Sequence, residues 1–385
     1  MIHSKVFKIV FVLSLIFNFA KAGDDLHKVS LNKEHLDIPS FKFSIDSIID
    51  ARTNKYLIGS VQKGMVNSRY PADFTKGLKK EIENLVYVPT LRKEGKLKIV
   101  LIFNSLWIDE WTTAISEKGL VDLDFYIAKV TEKGILILDE QEIFLEEGGM
   151  DVTAGHARRI VKALQNGLEN FNKLDSSKYL NTLFETKTYS PDSSILLTKK
   201  PFKKGVFETP LDLLYNRPND KITYFKNIEF TETNAIVKDE NINRSEMKKV
   251  FAFSDGKDLF VNAISYGVRN KQGYSFGKGS VNGTVILLTD RIRNVEAQIL
   301  ARAAFGLVGA ALSSGATREI ELYLDVRKGI VLPLEGANIK FSLREFPDLL
   351  AKFDNLPYDQ QADIHVLKAF LKAINKRLET TSQTK

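Results

Sequence analysis

Four histidines follow the first 22 residues: His27, His35, His156 and His365. None stands in the HExxH arrangement that would set two imidazoles on one helix face around a zinc ion. His27 and His35 have no third ligand nearby in the sequence, and His365 borders an apolar helical stripe, where a surface or boundary residue belongs. The chain has no cysteine, which excludes disulfides, thiolate nucleophiles and thiolate metal sites. Neither a Gly-x-Ser-x-Gly elbow nor a Gly-x-x-x-x-Gly-Lys-Ser/Thr loop occurs. The glycines Gly277, Gly279 and Gly283 lead into an apolar strand-like run, so they lack the helix N-terminus that would hold a phosphate. Glu146, Glu147 and Asp151 carry oxygens suited to calcium, but the stretch reads better as a loop ending in Asp151 as the N-cap of the next helix. No catalytic residue, metal ligand or cofactor-binding residue is singled out, and no cofactor is expected.

Two pairs keep other chemistry open. Asp122 and Asp124 alternate with Val121, Leu123, Phe125 and Ile127, the pattern of a half-buried strand, which places the carboxylates on its solvated face. Trp107 and Trp111, near a strand end, either stack on sugar rings or close the edge of a core. A carboxylate pair for glycoside hydrolysis is assembled only by the fold and leaves no mark in the sequence.

The elements that would position such residues follow from periodicity and turn chemistry. Residues 1–22 read as a signal peptide: Lys5 and Lys8, an apolar run from Ile9 to Phe19, and a small-residue site at Ala20 and Ala22 that predicts cleavage before Gly23. Without that segment Lys+Arg falls from 55 to 52 against 48 acids, and the formal charge from +7 to +4. Near balance argues against a nucleic-acid binder, which concentrates basic residues on one surface.

Residues 23–40 read as a flexible lead-in. A two-layer α+β domain is expected over 41–174. It begins with a hairpin of FKFSIDSIIDA and KYLIGSVQ turned at Arg52–Asn54. A helix starting near Pro71 and Asp73 carries Phe74, Leu78, Ile82 and Leu85. A three-strand antiparallel meander and a closing helix with Ile160, Val161, Leu164, Leu168 and Phe171 on one side complete it.

Residues 175–204, rich in serine and lysine, read as a linker. A second α+β domain follows over 205–378, with a polar tail at 379–385. Thr209, Pro210 and Asp212 mark a capped helix start, Asp255-Gly256 and Lys328-Gly329 mark hairpin turns, and Ser342 with Glu345 suggests a capping box. A last helix sets Ile364, Leu367, Leu371, Ile374 and Leu378 on its apolar side. The fold class expected is therefore α+β, with two domains, each a mainly antiparallel sheet packed with helices.

The most apolar run after the signal, Gln298–Thr317, predicts a helix. Arg302 and Arg318 bracket it too closely for the roughly 20 residues of a membrane span. Phe305, Val308 and Leu312 share one side, Gly306, Ala310 and Ser313 another, with Gly309 between. The small side suits close packing: a core helix first, then a contact between copies, then a membrane-touching segment.

The layout of the first half, with the polar break Asn104-Ser105 inside a strand and an Ala/Gly-rich closing helix after an acidic strand end, resembles bacterial envelope lipoproteins that accompany ABC-type lipid transporters. This chain lacks their lipidated cysteine. The second half, in the order GVFETPLDLLYNRP, FAFSDGKDLFVNAI, the Gly/Ala helix and ELYLDVRKGIVLPL, resembles uncharacterised exported proteins of Bacteroidetes. The expectation is an exported envelope protein of the periplasm, the outer-membrane surface or the extracellular side. It would act as a non-enzymatic accessory or binding component with an envelope protein or lipid as partner; the alternative is a hydrolase of envelope or extracellular polymers using a carboxylate pair. No nucleic-acid partner and no transmembrane helix after the signal are expected, and the oligomeric state stays open.

Overall fold

The structure, a computed structural model, describes residues 26–37, 41–63, 68–86, 96–112, 117–149, 152–185, 202–219, 227–238, 242, 244–263, 274–281, 283–293 and 317–383. It contains two sheets, mostly antiparallel and packed with helices, in two domains, as the sequence predicts. The signal segment with Ala20, Ala22 and Gly23, and the apolar run with Phe305, Gly306, Val308, Gly309, Ala310, Leu312 and Ser313, lie outside the described residues.

The first domain comprises β1 (His27–Val29), β2 (Phe43–Asp50), β3 (Gly59–Lys63), β4 (Ser68–Phe74), α1 (Leu78–Val86), β5 (Leu97–Thr112), β6 (Glu117–Thr131), β7 (Gly134–Gly149), α2 (His156–Lys173) and β8 (Thr182–Leu183). Strand order is β1-β4-β3-β5-β6-β7-β8, with β2 also against β5. The long meander β5-β6-β7 is antiparallel throughout and forms the floor of the domain. Period-two alternation sends Val121, Leu123, Phe125 and Ile127 to one face, where Ile82 of α1 and Ile160, Leu164 and Leu168 of α2 cover them.

Several local expectations change. Phe43–Asp50 and Gly59–Lys63 do not pair as a hairpin; both run parallel to β5, and the connection between them carries Leu57 away into the second domain. Pro71, Asp73 and Phe74 belong to β4, and the helix begins only at Leu78. There, pairing of β4 with β1 and β3 overrides the local cap signal, since propensity is the weaker term. His27–Val29, within the expected flexible lead-in, is a strand parallel to β4, and Thr182–Leu183, within the expected linker, extends the edge of β7. Glu146–Gly149 is the end of β7 rather than a loop, while Asp151 lies outside the described residues.

The second domain comprises β9 (Gly205–Phe207), α3 (Pro210–Leu214), β10 (Ile228–Phe230), β11 (Asn234–Val237), α4 (Arg244–Lys248), β12 (Ala252–Ser254), β13 (Leu259–Asn262), β14 (Tyr274–Ser280), β15 (Val285–Arg293), β16 (Thr317–Asp325), β17 (Ile330–Pro333), α5 (Gly336–Leu343), α6 (Pro347–Asp354), α7 (Tyr358–Gln361) and α8 (Ile364–Gln383). The sheet runs β17-β16-β15-β14-β13-β12-β9, with β11 joining β10 to β14. Thr209 and Asp212 form a capping box on α3, and both expected hairpins are present. Ser342 is not a cap: it lies inside α5 and meets the Tyr323 hydroxyl at 2.8 Å, while Pro347 opens α6 at its first turn.

Alternation along β16 sends Leu322 and Leu324 to one core and Tyr323 to another, beneath α5, α6 and α8. Leu26 and Leu57 of the first domain are part of that second core, with Leu57 fully buried. The Lys328 ammonium stands 5.3 Å from the Tyr56 ring centre, next to that junction. The domains are therefore joined by shared apolar packing and not by a surface touch alone.

Candidate functional site: the inter-domain cleft

The face of β5-β6-β7 turned away from α1 and α2 is apolar toward Val100, Ile102 and Ala128 and polar around Ser105, Asp122, Asp124, Glu140 and Glu142, and the second domain covers part of the polar end. Register places Trp107 opposite Asp122, Ser105 opposite Asp124, Asp124 opposite Glu142, and Tyr126 opposite Glu140. The polar break Asn104-Ser105 is a register shift between Phe103 and Ser105, a bulge that brings both polar residues to the cleft. Above this floor stand Lys248 and Lys249, at and just after the end of α4, and Glu208 to Pro210 at the start of α3. The connection at Arg52–Asn54 closes one side, with Arg52 held by Asp50 through 2.9 and 2.8 Å bonds. The cleft measures about 360 Å³, within the roughly 300–1,000 Å³ of small-molecule sites, which favour domain interfaces.

At its centre the Lys248 ammonium donates to Asp122 Oδ1 at 2.7 Å and to Asp124 Oδ1 at 2.8 Å. Ser105 Oγ donates to the other Asp124 oxygen at 2.6 Å. These carboxylates are thus not a solvated strand face: the covering domain turns the alternation predicted for solvent into one half of a clasp. Burial, outweighing Lys248 and reinforced by Asp122, raises the Asp124 pKa above its ordinary value. Burial would lower Lys248, but the two aspartates outweigh it and raise its pKa. Burial also raises Glu140, with Glu142 and Asp124 adding to it, and raises Tyr126 beside them. The cleft therefore combines carboxylates of reduced acidity, two ammonium groups, a guanidinium, two amides, hydroxyls and the aromatic rings of Trp107, Tyr126 and Phe251. Trp107 lines it, and its indole Nε1 is buried without a hydrogen-bond partner.

A second polar group, not apparent in the sequence, lies in the first domain. His156, fully buried, meets Glu110 Oε1 through Nε2 and Arg159 Nη1 through Nδ1, each at 2.8 Å. Because a guanidinium can only donate, Nδ1 accepts and Nε2–H donates to Glu110, which fixes a neutral tautomer. Burial, then the neighbouring Arg159, keeps the His156 pKa below its ordinary value. Burial would raise Glu110, but bonds from His156, the Gln62 N–H and Thr153 outweigh it and lower it. A Cβ added at Gly119 would lie 2.3 Å from Arg159 Cζ, so only glycine lets the guanidinium pass across β6. This cluster positions the start of α2 against β5. Asp109, next in the chain, pairs instead with Arg69 and Ser60.

Of the other residues weighed in the sequence, His35 and His365 are exposed, and His27 sits half-buried on β1. Among the described residues no cluster of three or more acidic or histidine side chains is placed to hold a metal ion, and no helix is long and apolar enough to cross a membrane.

The fold and the site define a two-domain α+β protein with a polar, aromatic-lined cleft between its sheets. Residues 205–378, from β9 into α8, match a family of unknown function (DUF6563), so the second domain is similar to that family. Neither a curated protein nor a solved structure matches the chain.

Proposed function

We propose that this chain is an exported bacterial envelope protein that acts as a non-enzymatic binding component, with its ligand seated in the inter-domain cleft. The observation that carries the reading is the clasp: Lys248 occupies both Asp122 and Asp124, so the most central carboxylates are engaged in holding the domains, while the surrounding cleft offers ligand-sized, mixed polar and aromatic space. Export is supported by the Lys5, Lys8, apolar-run and Ala20/Ala22 pattern of the first 22 residues. The resemblance of the first half to ABC-transport auxiliary lipoproteins, and of the second to exported Bacteroidetes proteins, supports an envelope protein or lipid as partner, in the periplasm or at the outer membrane. The predicted helix with Phe305, Gly306 and Ala310 supplies a candidate surface for that partner.

The test is native mass spectrometry on the chain purified from an envelope fraction without detergent, with N-terminal sequencing of the same sample. A start at Gly23 and a mass increment from a bound small molecule are expected. An intact Met1 overturns export, and a bare chain whose cleft variants behave as wild type in envelope cross-linking overturns the binding role.

One observation favours a second reading. Asp124 and Glu140, both with pKa raised by burial, share the cleft with Asp122 and Glu142, so the fold gathers in one cleft the kind of carboxyl groups that a polymer hydrolase pairs. Release of reducing ends from envelope polymers, lost in Glu140→Gln, would establish it.

A further inference from the structure

The inference here rests on the cleft being the ligand site and concerns what it takes. We infer that the cleft binds a neutral saccharide, a mono- or disaccharide unit lying against Trp107 and Tyr126 with its hydroxyls shared between floor and roof.

The charge pattern selects among ligand classes. Asp122 and Asp124 are already engaged by Lys248, so an ammonium-bearing ligand would find Glu140 and Glu142 below it and Glu208 above, but would face Lys249 and Arg52. A phosphate or carboxylate would meet Lys249 only in the company of five acids, Glu208 among them. A sugar hydroxyl both donates and accepts, so one molecule satisfies acceptors on the floor and donors on the roof without introducing a net charge. The raised pKa values of Asp124 and Glu140 fit acceptors set in a partly dry site.

The layout fits the same class. Trp107, Asp122, Asp124 and Tyr126 share one face of adjacent strands, so aromatic surface and paired acceptors alternate on a rigid floor. Such a surface takes the apolar C–H face of a pyranose while carboxylates meet its edge. The bulge at Asn104 adds an amide, which donates and accepts, beside the Ser105 hydroxyl. Among the described residues, the Trp107 indole N–H is the one buried polar atom of the cleft lining left without a partner, a donor that lacks an acceptor.

The chain has two tryptophans, so Trp111→Phe leaves Trp107 as the sole indole fluorophore. This protein, secreted and folded, is titrated with glucose, N-acetylglucosamine, maltose and cellobiose, and in parallel with spermidine and inorganic phosphate. Expected is a saturable change in Trp107 emission with at least one saccharide, confirmed by calorimetry, and weakened roughly tenfold or more by Asn104→Ala and by Tyr126→Ala, the equivalent of about 1.4 kcal/mol. Both variants are checked for an unchanged melting temperature, which keeps the test valid if Trp107→Ala fails to fold. Saccharide binding, read by calorimetry, that survives both Asn104→Ala and Tyr126→Ala in folded protein overturns the inference. Binding of spermidine or phosphate alone overturns the saccharide class while leaving the cleft as a ligand site. No binding of any probe overturns the inference, and the native mass of the envelope-purified chain then decides the broader reading independently.

Discussion

The Lys248 ammonium of the second domain lies 2.8 Å from Asp124 Oδ1 of the first, with Asp122 Oδ1 at 2.7 Å on its other side. The three side chains are 13–16 % exposed, so solvent screens the clasp only in part. Removing the ammonium strands two carboxylates against each other. Lys248→Met should therefore destabilise the protein by about 2–3 kcal/mol, near the lower end for breaking a buried pair because some water reaches it. Adding Asp122→Asn should recover part of the loss. Urea unfolding of the two single variants and the double variant gives the coupling; a coupling near zero would show that the clasp carries no stability.

Acid should weaken the fold through His156. Its unfolded value is near 6.5, while burial and Arg159 depress it in the folded state. Below about pH 6.5 the unfolded chain thus binds more protons than the folded one, and stability falls as pH drops toward the folded value, by up to about 1.4 kcal/mol per unit. His27, also depressed by burial and by Lys63, acts in the same direction. His156→Gln keeps a donor for Glu110 and an acceptor for Arg159 but does not titrate. The difference in unfolding free energy between about pH 7.5 and about pH 5.5 should shrink by roughly 1 kcal/mol in this variant; an unchanged difference refutes the assignment.

Leu57→Ala should act on both domains at once. Leu57 belongs to the first domain's chain but is fully buried in the core beneath α5, α6 and α8. The expected cost is about 2–5 kcal/mol, the range for buried leucine truncations. Hydrogen exchange should rise in α5 and in the 52–57 connection together. Faster exchange confined to one of them would mean that the shared core does not couple the domains.

Gly59 should tolerate no side chain. It has φ +140°, and an added Cβ would lie 1.9 Å from the Ile108 carbonyl oxygen and 2.6 Å from its nitrogen. Ile108 is backbone at the centre of the sheet and has nowhere to go. Gly59→Ala should abolish soluble accumulation, whereas Gly77→Ala, with open space around it, should cost only about 1 kcal/mol of backbone strain. Recovery of folded Gly59→Ala at wild-type yield would refute the close crossing.

How much was legible follows the range of the interactions. The β5-β6-β7 meander, α2, α3 and the hairpins at Asp255-Gly256 and Lys328-Gly329 rest on period, caps and turn residues a few positions apart, and all are present. The strand at 27–29 has no local sign because its partner β4 lies more than 40 residues along the chain, and at 71–74 pairing with β1 and with the neighbouring β3 outweighs a local helix-start signal.

The amino-acid sequence by itself determined the α+β class, the two-sheet layout and the absence of thiol chemistry, because composition and local periodicity set these. The cleft was a decision of the tertiary structure. Alternation put Asp122 and Asp124 on the outward face of β6, but whether that face met water or Lys248 depended on a domain more than a hundred residues away. His156 gave no local sign either: Glu110 lies on β5 and Arg159 one turn along α2, and only packing of the helix on the sheet brings their charges to the two sides of one imidazole. Chemistry that rests on such long-range meetings is fixed by burial and charge balance in three dimensions, where a sequence pattern has no reach.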